Sequence, residues 1–461
     1  MNIVYLNSHD TGRYIQPYGH NVPTPNLQRL AEDSVLFRDA HCVASTCSPS
    51  RAGLLTGQSA HGAGMVSLGH RGGTLLHPER HIAHFLARQG FETVHAGSSH
   101  TIHPEQCGFA VRSDIHPRKT KEITDYAVNY LREYKGDKPF FLDVGYIETH
   151  RVDWVCHGFS QETDSPKDGD GNPDYGMPPA VLPDHPDTRR DWLDYQHSAE
   201  RLDGYWGRIL DALEEAGLAD DTLVLATTDH GLAFPEMKCK LTQHGTGVLQ
   251  IIRFPKGLGR GKVIDALVSH LDFYPTVCEL LGVDAPDWLE GHSLLPLVKG
   301  EADAIREHHF SEVTFHGSFE PKRGVRTKRW NYIRNFAAPY TTHGPNCDNS
   351  LSKDLLVEHG LASHIIPEEE LYDLVFDPQE RNNLLARHSL GEGGAADPEH
   401  AAVKESLRTE LDQWMQATDD PLLSEDPAVM PLPQTINTWD QSSPYDAVSE
   451  WDLDDWNKIT R

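Results

Sequence analysis

Four times along this chain an apolar, β-prone run stops at a small cluster of Asp, His, Ser or Thr. The runs are NIVYLN (2–7), FETVHAG (91–97), PFFLDVGYIETH (139–150) and DTLVLATTDHG (221–231). Helical patterns separate them: TPNLQRLAEDSVLF (24–37) reads as a capped helix entering a strand, and 189–218 as one long amphipathic helix. Strands alternating with helices predict an α/β fold with a large, mostly parallel, doubly wound sheet flanked by helices. Ligands of such sheets sit at the carboxyl ends of the strands. That places four candidate clusters at 8–13, 97–103, 148–151 and 229–230.

The length, 461 residues, suits one large α/β domain with an appendage. The texture changes near residue 300: GVRTKRWNYIRNF (324–336) alternates like an antiparallel hairpin. The expected division is 1–300 as the main domain, 301–420 as a smaller C-terminal α+β subdomain with an antiparallel sheet, and 421–461 as an acidic arm. A formal net charge of -28 repels phosphate backbones, so nucleic acid is not an expected partner. Any anion must then bind in a local cationic pocket. No run of 18 apolar residues occurs, so no membrane span is expected. The seven cysteines form no CxxC pair, and MNIVYLNSHD lacks the features of a leader peptide, so a cytoplasmic location is expected.

The pentapeptide Cys47-Ser48-Pro49-Ser50-Arg51 precedes a helical run. Pro49 suits the first helical position, with Ser48 near the cap. First-turn N–H groups and the Arg51 guanidinium would then favour negative charge at position 47. His9-Asp10 and Asp229-His230 each follow a β-prone run. Alone, each pair reads as a turn or a helix cap. Converging on one sheet edge, they would bind a divalent cation, with imidazole shifting the preference from Ca²⁺ or Mg²⁺ toward Mn²⁺ or Zn²⁺.

Cys47-Ser48-Pro49-Ser50-Arg51, followed by Leu55-Thr56-Gly57, resembles the signature of the type I sulfatases, formylglycine-dependent enzymes of the alkaline phosphatase superfamily. The resemblance runs from residue 2 to about 385 and is closest to the heparan N-sulfatase (sulfamidase) branch, through FPEMK and EVTFHGSFEPKRGVRT. It implies an alkaline phosphatase-like fold. It also implies conversion of Cys47 to 3-oxoalanine (formylglycine) by a formylglycine-generating enzyme, with Pro49, Ser50 and Arg51 in the modification motif. The implied metal ligands are His9, Asp10, residue 47, Asp229 and His230, with Ca²⁺ the expected ion and Mn²⁺ or Zn²⁺ the alternatives.

Arg51, His100 and Lys238 match family residues that balance charge on the transferring group, and His150 matches the one that protonates the leaving group. Lys240 is the fallback for Lys238. Two positions depart from the pattern: His9 stands where the first Asp is usual, and Ser98 where a Lys is usual. His103 and Arg151 are candidates to compensate for that lysine, while Glu312 and His316 are candidates to face the substrate.

The resulting expectation is a sulfuric ester or sulfamate hydrolase acting on a small sulfated sugar, aryl or alkyl substrate, with a homo-oligomer left open. A phosphonate monoester or phosphodiester hydrolase of the same superfamily is one alternative. A catalytically silent sulfatase-like binding protein is the other.

Overall fold

The computed structural model describes residues 1–102, 104–151, 158–159, 171–338, 340–342, 344–386 and 397–424. Eight strands build the large sheet: β1 (Asn2–Ser8), β2 (Val35–His41), β3 (Glu92–Gly97), β4 (Val111–Arg112), β5 (Phe140–Gly145), β6 (Thr222–Thr228), β7 (Gln250–Arg253) and β8 (Lys262–Ser269). Their spatial order is β4-β3-β5-β1-β6-β7-β2-β8. All run parallel except β7, which is antiparallel to both β6 and β2.

The alternation of β1 shows why these strands read as continuous apolar runs. Ile3 and Tyr5 enter one core, and Val4 and Leu6 enter another on the opposite face. Helix Cys47–Thr56 supplies Leu54 and Leu55 to the first core. Helix Pro186–Glu215 supplies Leu202, Trp206 and Leu213 to the second. Burial on both faces is what a parallel sheet requires. No helix among the described residues is long and apolar enough to cross a membrane.

The smaller sheet holds β9 (His309–Phe315), β10 (Phe319–Arg326), β11 (Trp330–Asn335) and β14 (Glu369–Asp373), all antiparallel, in the order β14-β11-β10-β9. The short strands β12 (Tyr340–Thr341) and β13 (Ile365–Ile366) pair separately. Helix Pro398–Ala417 covers the four-stranded sheet with Leu407, Leu411 and Met415. The packed chain continues past 420: Leu422 joins the same core, and Asp420 is buried against Arg323. An arm starting at 421 therefore starts too early, and residues 425–461 lie outside the described residues.

The two sheets meet at one point that matters for the site. Glu312 N–H donates to Val43 O at 2.8 Å, and Ala44 bridges Glu312. The segment leading into Cys47 is thus clamped between them.

Candidate active site

β1 lies between β5 and β6, with Asn7 opposite Gly145 and Ser8 opposite Thr228. The residues that follow each strand therefore emerge side by side. His9 N–H donates to Glu148 O at 2.8 Å, and Thr149 N–H to His9 O at 2.7 Å. Asp10 N–H donates to Asp229 Oδ1 at 2.8 Å. Main-chain bonds thus bring together three clusters that are far apart in sequence.

Helix Cys47–Thr56 begins at Cys47 itself, with Thr46 as the N-cap. Pro49 is therefore the third helical residue, not the first. It is tolerated because no first-turn N–H needs an intrahelical partner. Ser50 Oγ donates to Asp229 O at 2.5 Å, which ties the helix to the end of β6. The helix stops at Gly57, whose φ of 73° favours glycine and whose N–H caps Gly53 O at 2.8 Å.

Cys47 Sγ lies 3.3 Å from His230 Nε2 and 3.9 Å from Asp10 Oδ1. Burial is the main influence on this thiol and pushes it well above the usual thiol range, despite Lys238 nearby. His230 Nε2 also approaches Asp10 Oδ1 at 3.2 Å. His9 Nδ1 lies 3.1 Å from Asp229 Oδ2. Burial and the Arg51 charge lower the His9 pKa to about 4, so its ring is neutral at physiological pH. Burial opposes ionisation of Asp229, but His230, Arg51 and His9 hold its carboxyl well below the usual range.

These residues fit a divalent cation. His9, Asp10, Cys47 and Asp229 each offer a ligand atom, all within 4.8 Å of one another, and each is buried. His9 Nε2 is buried with no hydrogen-bond partner among the described residues. A neutral imidazole with an unused lone pair beside two carboxylates is a metal donor set.

Arg51 sits beneath this cluster, 2% exposed. It donates to Asn7 Oδ1 at 2.6 Å, Ser8 O at 2.7 Å and Asp229 Oδ2 at 3.1 Å. That engagement ties it to Asp229 and to the end of β1. Lys238 occupies the outer side: its Nζ lies 3.0 Å from Asp10 Oδ2 and 3.2 Å from Asp348 Oδ2. His150 Nε2 lies 3.8 Å from Asp10 Oδ2, while its Nδ1 donates to Arg151 O, which fixes the ring. The ring of His100 stands 5.0 Å from that of His9. His316 is buried at the β9–β10 turn, where burial and the Lys238 charge push its pKa well below the usual range against the opposing pull of Asp348.

Several expected contacts lie elsewhere. Arg151 donates to both Asp191 oxygens, at 2.6 and 2.9 Å, and to Ala233 O at 2.6 Å, and it stacks between Phe159 and Phe234. A guanidinium held this way braces the long helix and does not stand in for the lysine that Ser98 replaces. Lys240 pairs with Glu236 at 3.7 Å, so Lys238 alone of the two reaches Asp10. Ser98 is wholly buried behind the end of β3, with no hydrogen-bond partner for its Oγ among the described residues. Glu312 pairs with His61 at 2.9 Å and Arg323 at 3.4 Å, in the joint between the sheets and away from any substrate face. His103 lies outside the described residues.

One site residue escaped the sequence reading. Asp348 follows a turn in PNCDNS, with no periodicity or motif to mark it. Burial opposes its ionisation, yet Lys238, His150, His316 and Arg151 hold its carboxyl well below the usual range.

Known proteins share the sequence pattern and the fold of this chain. The sulfatase family profile covers residues 1–283, and the profile of the C-terminal region of N-sulphoglucosamine sulphohydrolase covers residues 241–342. The chain is 29% identical to human N-sulphoglucosamine sulphohydrolase over 91% of each chain. A structure of a protein in complex with its substrate D-glucosamine-2-N,6-O-disulfate shares the fold, with a TM-score of 0.68 and 20% identity over 91% of this chain and 98% of that one. The phosphonate monoester hydrolase of Agrobacterium radiobacter also shares it, with a TM-score of 0.64 and 19% identity over 90% and 96% of the two chains. The fold alone therefore does not separate the two chemistries, and it is the profile covering residues 1–283, more than half of the chain, that places this protein in the sulfatase family, whose members hydrolyse sulfate esters or sulfamates.

Proposed function

We propose that this sulfatase cleaves the sulfamate of a small N-sulfated amino sugar, with residue 47 in its formylglycine form and a divalent cation held by His9, Asp10, Asp229 and residue 47. The observation that carries the reading is the buried position of Cys47: first in its helix, 3.3 Å from His230 and 3.9 Å from Asp10, within the donor set. The match of residues 241–342 to the C-terminal region of N-sulphoglucosamine sulphohydrolase favours nitrogen over oxygen as the sulfated atom. A formylglycine-generating enzyme is then an obligatory partner. Calcium is the expected ion, although the His9 imidazole departs from an all-oxygen set.

The bound cation would supply positive charge at a sulfate oxygen and favour ionisation of the neighbouring nucleophile. The chain's own residues do the rest. Lys238 places an ammonium where a second sulfate oxygen binds, adding charge stabilisation at a buried position. Arg51 holds Asp229 in place from below. Ser50 locks the helix start against the same residue. His150, its Nδ1–H directed to Arg151 O, presents Nε2 to the departing nitrogen and, as the imidazolium, delivers the Nε2 proton there and returns to the neutral ring.

The test is to compare kcat/KM for N-sulphoglucosamine, an aryl sulfate and a phosphonate monoester under one metal. The reading expects the sulfamate to lead the phosphonate by orders of magnitude. A phosphonate preference of that size would replace it with the phosphonate hydrolase alternative. No turnover of any of the three by protein with a modified residue 47 would favour the silent binding protein.

A further inference from the structure

The carboxylate of Asp348 has no place in the chemistry described so far, yet the chain fixes it with care. Asn346 Oδ1 accepts the N–H groups of Gly317 at 2.8 Å and Ser318 at 2.7 Å, and its Nδ2 donates to Glu320 at 2.6 Å. This pins the segment to the β9–β10 turn that carries His316. Two residues beyond Asp348, Ser350 Oγ accepts Lys353 N–H at 3.0 Å and caps the helix Leu351–Glu358. Lys353 Nζ returns to Cys347 O and Asn349 Oδ1, both at 2.8 Å. Ser352 Oγ donates to Asp191 Oδ2 at 2.5 Å, fastening that helix to the residue that holds Arg151. Asp348 is thus anchored on both sides, and its side chain is only 4% exposed.

A rigid negative charge inside an anion-binding pocket opposes the anion unless it serves something else. Asp348 Oδ2 is 3.2 Å from Lys238 Nζ, but it is buried and accepts no hydrogen bond among the described residues. A buried carboxylate oxygen without a donor is costly, and a ligand donor would remove that cost. Its position suggests which donor. Contacts link Cys47 to Asp10, Asp10 to Lys238 at 3.0 Å, and Lys238 to Asp348 at 3.2 Å. A displacement at sulfur, like one at phosphorus, sets the leaving group opposite the nucleophile. Asp348 is near enough to His150 for the two to interact electrostatically, which puts it on the side where the departing atom receives its proton.

We propose that Asp348 is the specificity-determining residue that recognises an N–H donor on the leaving group, the amine nitrogen of an amino sugar. This deepens the reading of the site given above and rests on it. A sulfamate N–H donates to the carboxylate before cleavage, and the released amine, protonated through His150, pairs with it afterwards. An aryl or alkyl ester oxygen offers no such donor at that atom. Sites that hydrogen-bond a substrate N–H reject analogues lacking it, because the site's own polar group is then left unpaired.

The test uses full-length enzyme with residue 47 modified, as wild type and Asp348→Asn. The ratio of kcat/KM for N-sulphoglucosamine to that for an aryl sulfate should fall at least tenfold in the variant. An equal fall on both substrates would overturn the proposal and leave Asp348 as a residue that merely positions Lys238. A second readout does not depend on turnover. By calorimetry, glucosamine should bind the wild type at least tenfold more tightly than glucose, and Asp348→Asn should abolish that preference. If wild type binds the two sugars equally, the proposal fails even where sulfamate hydrolysis stands. If glucosamine is preferred but no sulfamate is cleaved, the proposed function fails and the recognition role of Asp348 survives.

Discussion

Lys238 stands between Asp10 and Asp348, so its ammonium is positioned by charge from both sides before any substrate arrives. Lys238→Met keeps the length of the side chain and removes the charge. It should lower kcat by about 10²–10³-fold, the usual cost of removing one preorganised charge donor, as steady-state kinetics would show. Gly231 faces a different constraint. A Cβ added there would fall 1.7 Å from His244 O, directly after the His230 that approaches Cys47. Gly231→Ala should therefore cost about 1–3 kcal/mol in urea unfolding, the usual range for overpacking, and should also reduce activity by displacing Asp229-His230. Asp10, Asp229, His230, His150 and Lys238 were legible in the sequence because each follows a strand or a motif. Asp348 was not, since its place depends on Asn346 contacts across 28 residues to a hairpin turn. The use of Arg151 was equally hidden, because Asp191, Phe159 and Phe234 come from three separate segments.

At the scale of elements, the joint between the sheets is a buried network of His61, Glu312, Arg323 and Asp420. Burial would raise the Glu312 pKa, but His61 and Arg323 lower it to about 2 from 4.5. A depressed carboxylate contributes stability that is present above its unfolded value and is lost as pH falls through the folded value. His61 is shifted upward: burial opposes its charge, and Glu312 outweighs that. Its contribution is complete below pH 6.5 and fades as pH rises through the raised value. The thermal midpoint of the wild type should therefore drop as pH falls from about 4.5 toward 2, and Glu312→Gln should flatten that limb, as calorimetry over pH would show. The same variant should lose about 1–3 kcal/mol near neutrality, because it breaks the buried His61–Glu312 bond while Arg323 keeps Asp420 as its partner. Strands β1, β3, β5 and β6 were readable from their apolar runs. The antiparallel insertion of β7 was not, since a four-residue buried strand carries no mark of its direction.

At the scale of the molecule, a net charge of -28 surrounds a pocket built for an anion. A cation held by His9, Asp10, Asp229 and residue 47 would offset part of that charge and join two strand ends, those of β1 and β6, to one helix. Chelation should lower the thermal midpoint by an amount that grows with the logarithm of the free metal concentration over its Kd, about 2.7 kcal/mol for a metal held at 100 times its Kd. Restoring calcium, manganese or zinc one at a time, with elemental analysis, identifies the ion. Doubly wound architecture was legible because strand–cluster–helix repetition is a property of the whole chain. The identity of the ion was not, because it depends on how one imidazole and two carboxylates converge.

The most direct measurement is mass spectrometry of the peptide containing Cys47, from protein made alongside a formylglycine-generating enzyme, paired with turnover of N-sulphoglucosamine. The account predicts an aldehyde or its hydrate at position 47, activity that scales with the modified fraction, and none from Cys47→Ala. An unmodified thiol in fully active protein, or undiminished turnover by Cys47→Ala, would contradict it.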